Sequence, residues 1–185
     1  MGKIRTELTP YRLFGPQLVG LVTTLDKNKK PDITPISLIT STEIPPPIVT
    51  IYVHPNRYAH DCIIHSKEFV VNVPSMNLAK EVAYCGTTTG KTVDKFKETG
   101  LTPTKSDKVS APRIEECFVH VECKLVNYYL RTGLHTIFVG DVVAEHVDED
   151  ILMADRIDYE KAKPLFHLYG GNKYATIGKL ETIQV

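Results

Sequence analysis

Short β-rich stretches, each bounded by proline, glycine or a polar turn, constrain the fold of this chain more than any other feature of its sequence. A polar turn at 26–31 joins the first two stretches, and Arg131-Thr132-Gly133 joins the last two, so both pairs are predicted to form β-hairpins. The predicted strands are residues 18–25, 32–38, 48–53, 69–73, 119–129 and 136–146.

Helices are predicted for three short segments only. These are residues 56–65 with Asn56 as cap, 78–84 with Asn77 as cap, and 92–99 ended by a left-handed Gly100. Six or more strands with such short helices favour a closed or partly open antiparallel barrel, since the regular strand–helix alternation of a parallel α/β fold is missing. Without a repeat or linker, we expect one domain spanning residues 1–185.

The charge balance excludes some classes of partner. The chain has 22 basic and 22 acidic residues, so its formal net charge is zero. A dedicated nucleic-acid binder usually carries a basic excess that neutralises phosphates, so we expect no nucleic-acid partner. One small anion needs only a local basic pocket. The chain also lacks an apolar run of transmembrane length and an N-terminal signal-type segment, so no membrane association is expected.

The cysteine pattern bears on redox chemistry and location. The four cysteines, at positions 62, 85, 117 and 123, include no pair with CxxC spacing. This disfavours a zinc finger, an iron–sulfur cluster and a thioredoxin-type dithiol. We therefore expect reduced, buried cysteines in a cytoplasmic protein.

Standard catalytic and nucleotide-binding motifs are missing. The chain contains no GxGxxG, GxxxxGK[ST], GxSxG or HExxH. His120 and Glu122 would face the same side of a strand, but two residues do not make a metal site, and a third convergent ligand would be needed. We therefore predict no metal site.

Three polar segments are candidate ligand contacts, each with an ordinary alternative. Residues 32–42 are rich in hydroxyls and form either a solvated edge strand or a ligand wall. Residues 85–91 combine glycines, threonines and a lysine, as an anion nest or an exposed loop would. Residues 170–174 allow a close backbone approach to a ligand, or form a turn. Arg57, near a predicted helix start, could add a forked phosphate contact.

The order of these segments resembles the flavin reductase-like family of FMN-binding split barrels, in particular its archaeal FMN-binding proteins and flavoredoxins. The resemblance runs from about Leu18 to Lys179, and its specificity lies in the combination of individually weak motifs. The motifs are Val22-Thr23-Thr24, Thr34-Pro35-Ile36-Ser37, Pro46-Pro47, Phe69-Val70-Val71-Asn72, Asp94-Lys95-Phe96, Gly100-Leu101-Thr102, residues 112–116, Glu122-Cys123, residues 163–167 and residues 170–174.

The resemblance implies a mainly β (α+β) split barrel of Greek-key type with a few short helices. It also implies FMN along the second strand, a phosphate at the start of the first helix and a loop that closes over the cofactor. The implied FMN contacts are Thr34, Pro35, Ile36, Ser37 and Leu38 on the strand, Arg57, Tyr58 and His60 at the helix, and Cys85, Gly86, Thr89, Gly90, Lys91 and Lys95 at the loop. Family members are usually homodimers with flavin near the subunit interface.

Two departures from the family pattern affect these expectations. Ala59 stands where threonine is frequent, so one phosphate hydroxyl is missing. Gly133-Leu134-His135 resembles the GDH motif linked to nicotinamide binding, but its aspartate is replaced by leucine. This replacement weakens the assignment of NADH or NADPH as co-substrate. His135 and His167 are the candidates for lining the nicotinamide side.

Three functions remain open on these grounds. The first is a cytoplasmic NAD(P)H:flavin oxidoreductase that passes hydride or electrons through bound FMN to a flavin or a redox partner. No catalytic side chain is required, because the flavin supplies the chemistry. The second is a flavoredoxin-like FMN electron carrier that does not oxidise nicotinamides. The third is a split barrel that has lost flavin or holds another cofactor, such as a deazaflavin.

Because the net charge is zero, each of these functions requires a locally basic site for the phosphate. Any positive potential for the flavin phosphate must come from nearby side chains, and Arg57, Lys91 and Lys95 are the predicted sources. Because the chain has no tryptophan, a ring that stacks on the flavin must be tyrosine, phenylalanine or histidine.

Overall fold

Fourteen strands account for most of the regular structure that the computed structural model describes, which covers residues 2, 5, 14–42, 45–130, 135–154, 156–169, 171–181 and 183. In chain order they are β1 (Gln17–Leu18), β2 (Gly20–Leu25), β3 (Pro31–Ile36), β4 (Ile39–Thr42), β5 (Ile48–Val53), β6 (Glu68–Val73), β7 (Pro103–Thr104), β8 (Arg113–Ile114), β9 (Val119–Tyr129), β10 (Thr136–Val147), β11 (Leu152–Met153), β12 (Arg156–Ile157), β13 (Phe166–Leu168) and β14 (Lys173–Ala175).

Seven of these strands form one antiparallel sheet in the order β3-β2-β6-β9-β10-β5-β4. Its two edge strands, β3 and β4, follow each other in the chain and are separated only by Ser37 and Leu38. The sheet must therefore curl until its edges meet at this crossing. There the backbone amide of Tyr52 donates to the Leu38 carbonyl oxygen over 3.1 Å. The expected partly open antiparallel barrel is confirmed.

Period-two alternation fills the barrel interior with apolar side chains. Strand β5 alternates partly buried and buried residues along its length, and Phe69 and Phe138 lie fully buried among its neighbours. Each such side chain contributes about 1.5–3 kcal/mol relative to an exposed one. Gly140 makes room for this packing, because a Cβ there would lie 2.8 Å from the Cζ atom of Phe69.

The described helices are short and lie against the sheet. They are α1 (Tyr58–Ser66), α2 (Ala79–Thr87), α3 (Lys95–Thr99) and α4 (Tyr159–Ala162), with 3₁₀ turns at Met76–Leu78 and Glu149–Ile151. Helix α1 buries Ala59 and Ile63 in the barrel cluster. Helices α2 and α3 cover a second apolar cluster, which contains Leu21 and Ile33.

Three of the four described helices exist where the sequence predicts them, α4 was not predicted, and two predicted caps are wrong. Helix α1 begins after Arg57, and the amide of Asn56 instead donates to Nδ1 of His54 over 3.1 Å. Asn77 lies within a 3₁₀ turn, so Leu78 is the residue that precedes α2. The predicted end of α3 is confirmed, since Gly100 has a φ of 72°.

A smaller sheet of order β1-β13-β14 lies beside the barrel, where the amide of Val19 donates to Leu165. Strands β9 and β10 pair antiparallel as predicted, although their connection, 131–134, lies outside the described residues. None of the described helices is long and apolar enough to span a membrane.

All four cysteines are free and buried, as expected. Burial raises the pKa of the Cys62 thiol to about 11 and that of Cys85 to about 12. Both thiols therefore stay protonated near neutral pH and behave as apolar side chains.

Candidate functional site

A cavity of about 730 Å³ opens where the two edges of the barrel sheet meet. One wall is the end of β3 and the crossing to β4, contributed by Pro35, Ile36, Ser37 and Leu38. The chain leaves the ladder at this crossing before it pairs again in β4, and the cavity lies beside that break.

The start of α1 and the end of α2 form a second wall. Arg57 lines it and donates from a guanidinium nitrogen to the carbonyl oxygen of Gly86 over 3.0 Å. Helix α2 packs closely on β3 here, since a Cβ at Gly86 would lie 3.2 Å from Cγ of Pro35. The neighbouring Thr87 adds a hydroxyl group to the cavity.

Strands β5 and β10 supply a third wall with two histidines. Val53 pairs with Thr136, so His54, just past β5, and His135, just before β10, come side by side. Their rings meet edge to face, with centroids 5.3 Å apart and an interplanar angle of 86°. Partial burial, His54 and Arg57 together lower the pKa of His135 below its usual value.

The small sheet closes the cavity from the opposite side with Gln17, His167, Asn172 and Tyr174. His167 Nε2 lies 3.0 Å from the carbonyl oxygen of Gly171, and its ring lies 5.7 Å from that of Tyr174. The Gln17 side-chain oxygen is buried and has no hydrogen-bond partner among the described residues. It can therefore accept a hydrogen bond from a donor on a ligand.

The described cavity lining is basic and aromatic. None of these residues carries a carboxylate, whereas Arg57 is cationic and three others are histidines. Phe14, Tyr52 and Tyr174 add rings. This combination suits a flat aromatic ligand that carries an anionic group.

A second polar cluster lies at the other end of β3. The Nζ atom of Lys95 lies 3.1 Å from an Asp32 carboxylate oxygen, and both side chains are almost fully buried. The same ammonium donates to the backbone oxygen of Ile33, and the hydroxyl of Thr34 donates to Asp32 over 3.2 Å. Gly90 is required beside this pair, because a Cβ there would collide with the Asp32 carboxylate.

The comparison with known sequences decides the family. Residues 13–177 match the family described as flavin reductase like domain, which is more than half of the chain. The chain belongs to the flavin reductase like family. The expected mainly β, split-barrel fold is thereby confirmed together with the resemblance that led to it.

Individual relatives agree with this membership. The chain is 34% identical over 169 residues to an uncharacterized protein of Aquifex aeolicus (strain VF5), covering 88% of this chain and 84% of that protein. It is similar in structure to the flavoredoxin of Desulfovibrio vulgaris (Miyazaki F), with a TM-score of 0.87, 26% identity and 97% of each chain covered. The flavoredoxin of Methanosarcina acetivorans gives a TM-score of 0.85 at 26% identity, covering 99% of this chain and 94% of that one.

In this member of the flavin reductase like family, the structure brings some of the predicted cofactor contacts together in the cavity. Pro35, Ile36, Ser37, Leu38, Arg57 and Gly86 line it, and so do the two predicted nicotinamide-side histidines, His135 and His167. These groups come from separate parts of the chain, joined by the closure of the barrel.

Other predicted contacts do not line the cavity. Thr34 and Lys95 belong to the Asp32 cluster, and Gly90 packs against it. His60 is buried, with Nε2 2.9 Å from the Thr136 hydroxyl, and Cys85 lies in the second apolar cluster.

The remaining predicted contacts lie on or beside the loop that joins α2 to α3. Tyr58 donates to Asp26 over 2.9 Å, and burial together with this bond raises its pKa to about 12. Thr89 and Lys91 are exposed, and the Lys91 ammonium lies 5.6 Å from the centre of the Tyr58 ring.

Several cavity residues were missed in the sequence. The sequence places Tyr52 on the alternating strand β5 and His54 just after its end. This pattern predicts their positions but points to no ligand by itself. Asn172 and Tyr174 lie in the segment 170–174, which was noted only as a candidate for close approach. Gln17 carries no sequence signal, because its place depends on the pairing of β1 with β13.

The structure places two further potential metal ligands beside Glu122, namely Asp107 in a loop and His146 on β10. His146 Nε2 lies 3.2 Å from Glu122 and 3.5 Å from Asp107, whereas His120 instead contacts the Asn72 side-chain oxygen at 2.9 Å. Burial raises the pKa of Glu122, but the backbone amides of Asp107 and Lys108 and the nearby His146 outweigh it and lower that pKa. Both carboxylate oxygens of Glu122 already accept these amides, which is the structural role we assign to the cluster.

Proposed function

We propose that this protein is an FMN-binding flavoprotein and an oxidoreductase, with the flavin held in the cavity at the barrel closure. The observation that carries the proposal is the lining of that cavity. It combines aromatic walls with Arg57 and has no carboxylate among its described residues. Membership of the flavin reductase like family supports the same cofactor class.

The residues present fit a flavin mononucleotide. Arg57 can donate two parallel hydrogen bonds to a phosphate, and it is already oriented by its bond to Gly86. The buried Gln17 oxygen lacks a partner in the described chain, and a flavin offers a ring N–H donor for it. The residues from Pro35 to Leu38 give the ring an extended backbone wall.

When bound, the flavin would supply the redox chemistry, taking hydride from a reduced nicotinamide and passing electrons to a flavin or a redox partner. The side chains of the cavity bind and orient it and exclude water. His135 and His167 are our candidates for contacting NADH or NADPH, because they line the cavity from two different walls.

A flavoredoxin-like electron carrier is the second candidate function. Two observations favour it: leucine replaces the aspartate of the GDH-like motif at position 134, and two flavoredoxins are structurally similar over nearly the whole chain. Anaerobic stopped-flow mixing separates the candidates. Rapid bleaching of bound flavin by NADH or NADPH supports the reductase, and no bleaching with retained reduction by dithionite supports the carrier.

We further propose a homodimer in the cytoplasm, as the family resemblance implies. The four free, buried thiols are consistent with a reducing compartment. In a dimer, the exposed Thr89 and Lys91 are available to a flavin bound by the partner subunit, whereas Lys95 is held inside its own chain. Light scattering with and without FMN tests the oligomeric state.

The cofactor assignment is tested with a pair of matched variants. Ser37→Trp places a large ring in the cavity, whereas Ser41→Trp makes the same change on the exposed face of β4, outside the cavity lining. The protein is expected to be yellow, to release FMN identified by mass spectrometry, and to rebind it. Rebinding should fall at least tenfold in Ser37→Trp and stay unchanged in Ser41→Trp.

Two results would contradict the proposal. One is a colourless protein that does not bind FMN. The other is equal FMN affinity in both tryptophan variants, which would exclude the cavity. Because the natural chain has no tryptophan, fluorescence of the introduced ring reports whether each variant is folded and how exposed the ring is.

A further inference from the structure

Three basic groups from different elements face one another at one end of the cavity. His54 follows β5, His135 precedes β10 and Arg57 precedes α1. The pairing of Val53 with Thr136 fixes the two histidines side by side, with ring centroids 5.3 Å apart. All three line the cavity. The fold itself, rather than a flexible loop, therefore concentrates these groups.

No carboxylate neutralises this group of residues from the described cavity lining. The charges that act on His135 are those of His54 and Arg57, and both oppose its protonation, as partial burial also does. Farther along the lining, the titratable groups are His167 on β13, Tyr52 on β5 and Tyr174 on β14. Asp61 on α1 lies 3.4 Å from His60 and 3.9 Å from Lys91 and does not line the cavity.

The histidines can act as donors to an anion. Nδ1 of His54 accepts the amide of Asn56, so the neutral ring carries its hydrogen on Nε2. A second proton on the His135 ring adds a positive charge beside Arg57. That charge is unfavourable in the empty cavity and becomes favourable when a dianion binds.

We infer that His54 and His135 form, together with Arg57, a proton-linked subsite for a phosphate monoester. Binding of the phosphate draws a proton from solvent onto His135, beside His54, and His135 loses that proton when the phosphate leaves. This inference rests on the proposed function, since FMN is the ligand that brings the phosphate. It assigns His135 to the phosphate end of the cavity, in addition to or in place of a nicotinamide contact.

The consequence is that affinity for a phosphorylated flavin depends on pH, whereas affinity for the same ring without phosphate does not. If one proton is taken up, affinity rises as much as about tenfold for each unit by which the pH falls. Protonation of the phosphate itself, with a pKa of about 6, opposes this below neutrality. The affinities for the two flavins are therefore compared between pH 6.5 and 8.5, and between the wild type and its variants.

The test is calorimetry of FMN and riboflavin binding at pH 7 in two buffers with different ionisation enthalpies. The variants are wild type, His54→Gln/His135→Gln, and His65→Gln as a control that removes an exposed histidine outside the cavity. We expect net proton uptake with FMN in wild type and His65→Gln, at least half of it lost in the double variant, and none with riboflavin. The FMN-to-riboflavin affinity ratio should fall at least threefold in the double variant.

Each outcome bears on a distinct claim. Equal proton uptake in wild type and the double variant, with FMN bound, overturns the inference and leaves the flavin proposal intact. Absence of binding of either flavin by wild type contradicts the proposed function and the inference together. Retained riboflavin affinity in the double variant shows that it is folded, so that a loss confined to FMN is attributable to the phosphate.

Discussion

Strand β3 runs past two polar regions that differ in how their charges are matched. Near its start, Asp32 and Lys95 form a buried ion pair, and Thr34 and Gly90 fit around it. At its end, the cavity beside Arg57 has basic groups but no described carboxylate. The first region matches its charges inside the chain, as structural elements do, whereas the described lining of the second offers no opposite charge to Arg57.

The largest effect is expected from breaking the internal pair. Lys95→Met keeps most of the side-chain volume but leaves the Asp32 carboxylate buried without its cation. Removing one partner of a buried pair typically costs about 3–5 kcal/mol of unfolding free energy. Denaturant unfolding of the empty protein measures this, and Lys95→Met/Asp32→Asn should recover part of the loss. A loss below about 1 kcal/mol would mean that Lys95 is not matched internally and would return it to the candidate ligand contacts.

The next effect contrasts two glycines, one in each region. Gly90→Ala puts a Cβ against the fixed Asp32 carboxylate and should cost about 1–3 kcal/mol, as overpacking does. Gly86→Ala meets only Cγ of Pro35 at 3.2 Å, so its cost in unfolding free energy should be smaller. Thermal unfolding of the two variants ranks them. The reverse order would show that the loop beside Asp32 yields more easily than the wall of the cavity.

The pH dependence of stability extends the comparison to His120, a buried histidine whose ring has a hydrogen-bonding partner inside the chain. Burial, Arg113 and His146 lower the pKa of His120 to about 4, and its ring contacts the Asn72 side chain. The folded chain binds this proton less readily than the unfolded chain. The stabilisation is therefore complete above pH 6.5 and is lost as the pH falls towards 4.

His120→Gln should flatten the fall in unfolding free energy between pH 6.5 and 4, by about 1 kcal/mol in total once solvent screening is counted. The exposed His65→Gln serves as the control and should keep the wild-type slope. An unchanged slope in His120→Gln would contradict the low pKa of this histidine.

The sequence predicted the strands well because their signal is local. The segment at 119–129 coincides with β9, since alternation and bounding turns need no information from elsewhere in the chain. The caps at Asn56 and Asn77 were wrong for the opposite reason. Helix α1 begins after Arg57 and the Asn56 amide bonds to His54, so the propensity of asparagine to cap did not decide the start of this helix.

The site was predictable only in part. Ser37 and Arg57 followed from the family resemblance, whereas Gln17 and His54 depend on which strands pair and in which register. Lys95 shows the limit of composition arguments. A lysine expected to supply positive potential to a phosphate lies instead on Asp32, a partner distant in sequence. Its contact with a ligand stays a prediction.

The smallest effect on stability, and the most informative about function, is expected at Arg57. Because this side chain is exposed, Arg57→Gln should change the unfolding free energy by no more than about 0.5 kcal/mol. Its effect should instead be on FMN, whose affinity should fall about 10- to 100-fold with the loss of charged hydrogen bonds. Riboflavin affinity should be unchanged. Lys27→Gln, which removes an exposed charge outside the cavity lining, should alter the affinity for neither flavin.

An equal loss of affinity for FMN and riboflavin would mean that Arg57 supports the cavity through its bond to Gly86 rather than by binding a phosphate. In that case the two ends of β3 would both be structural, and the difference between them would lie in exposure alone.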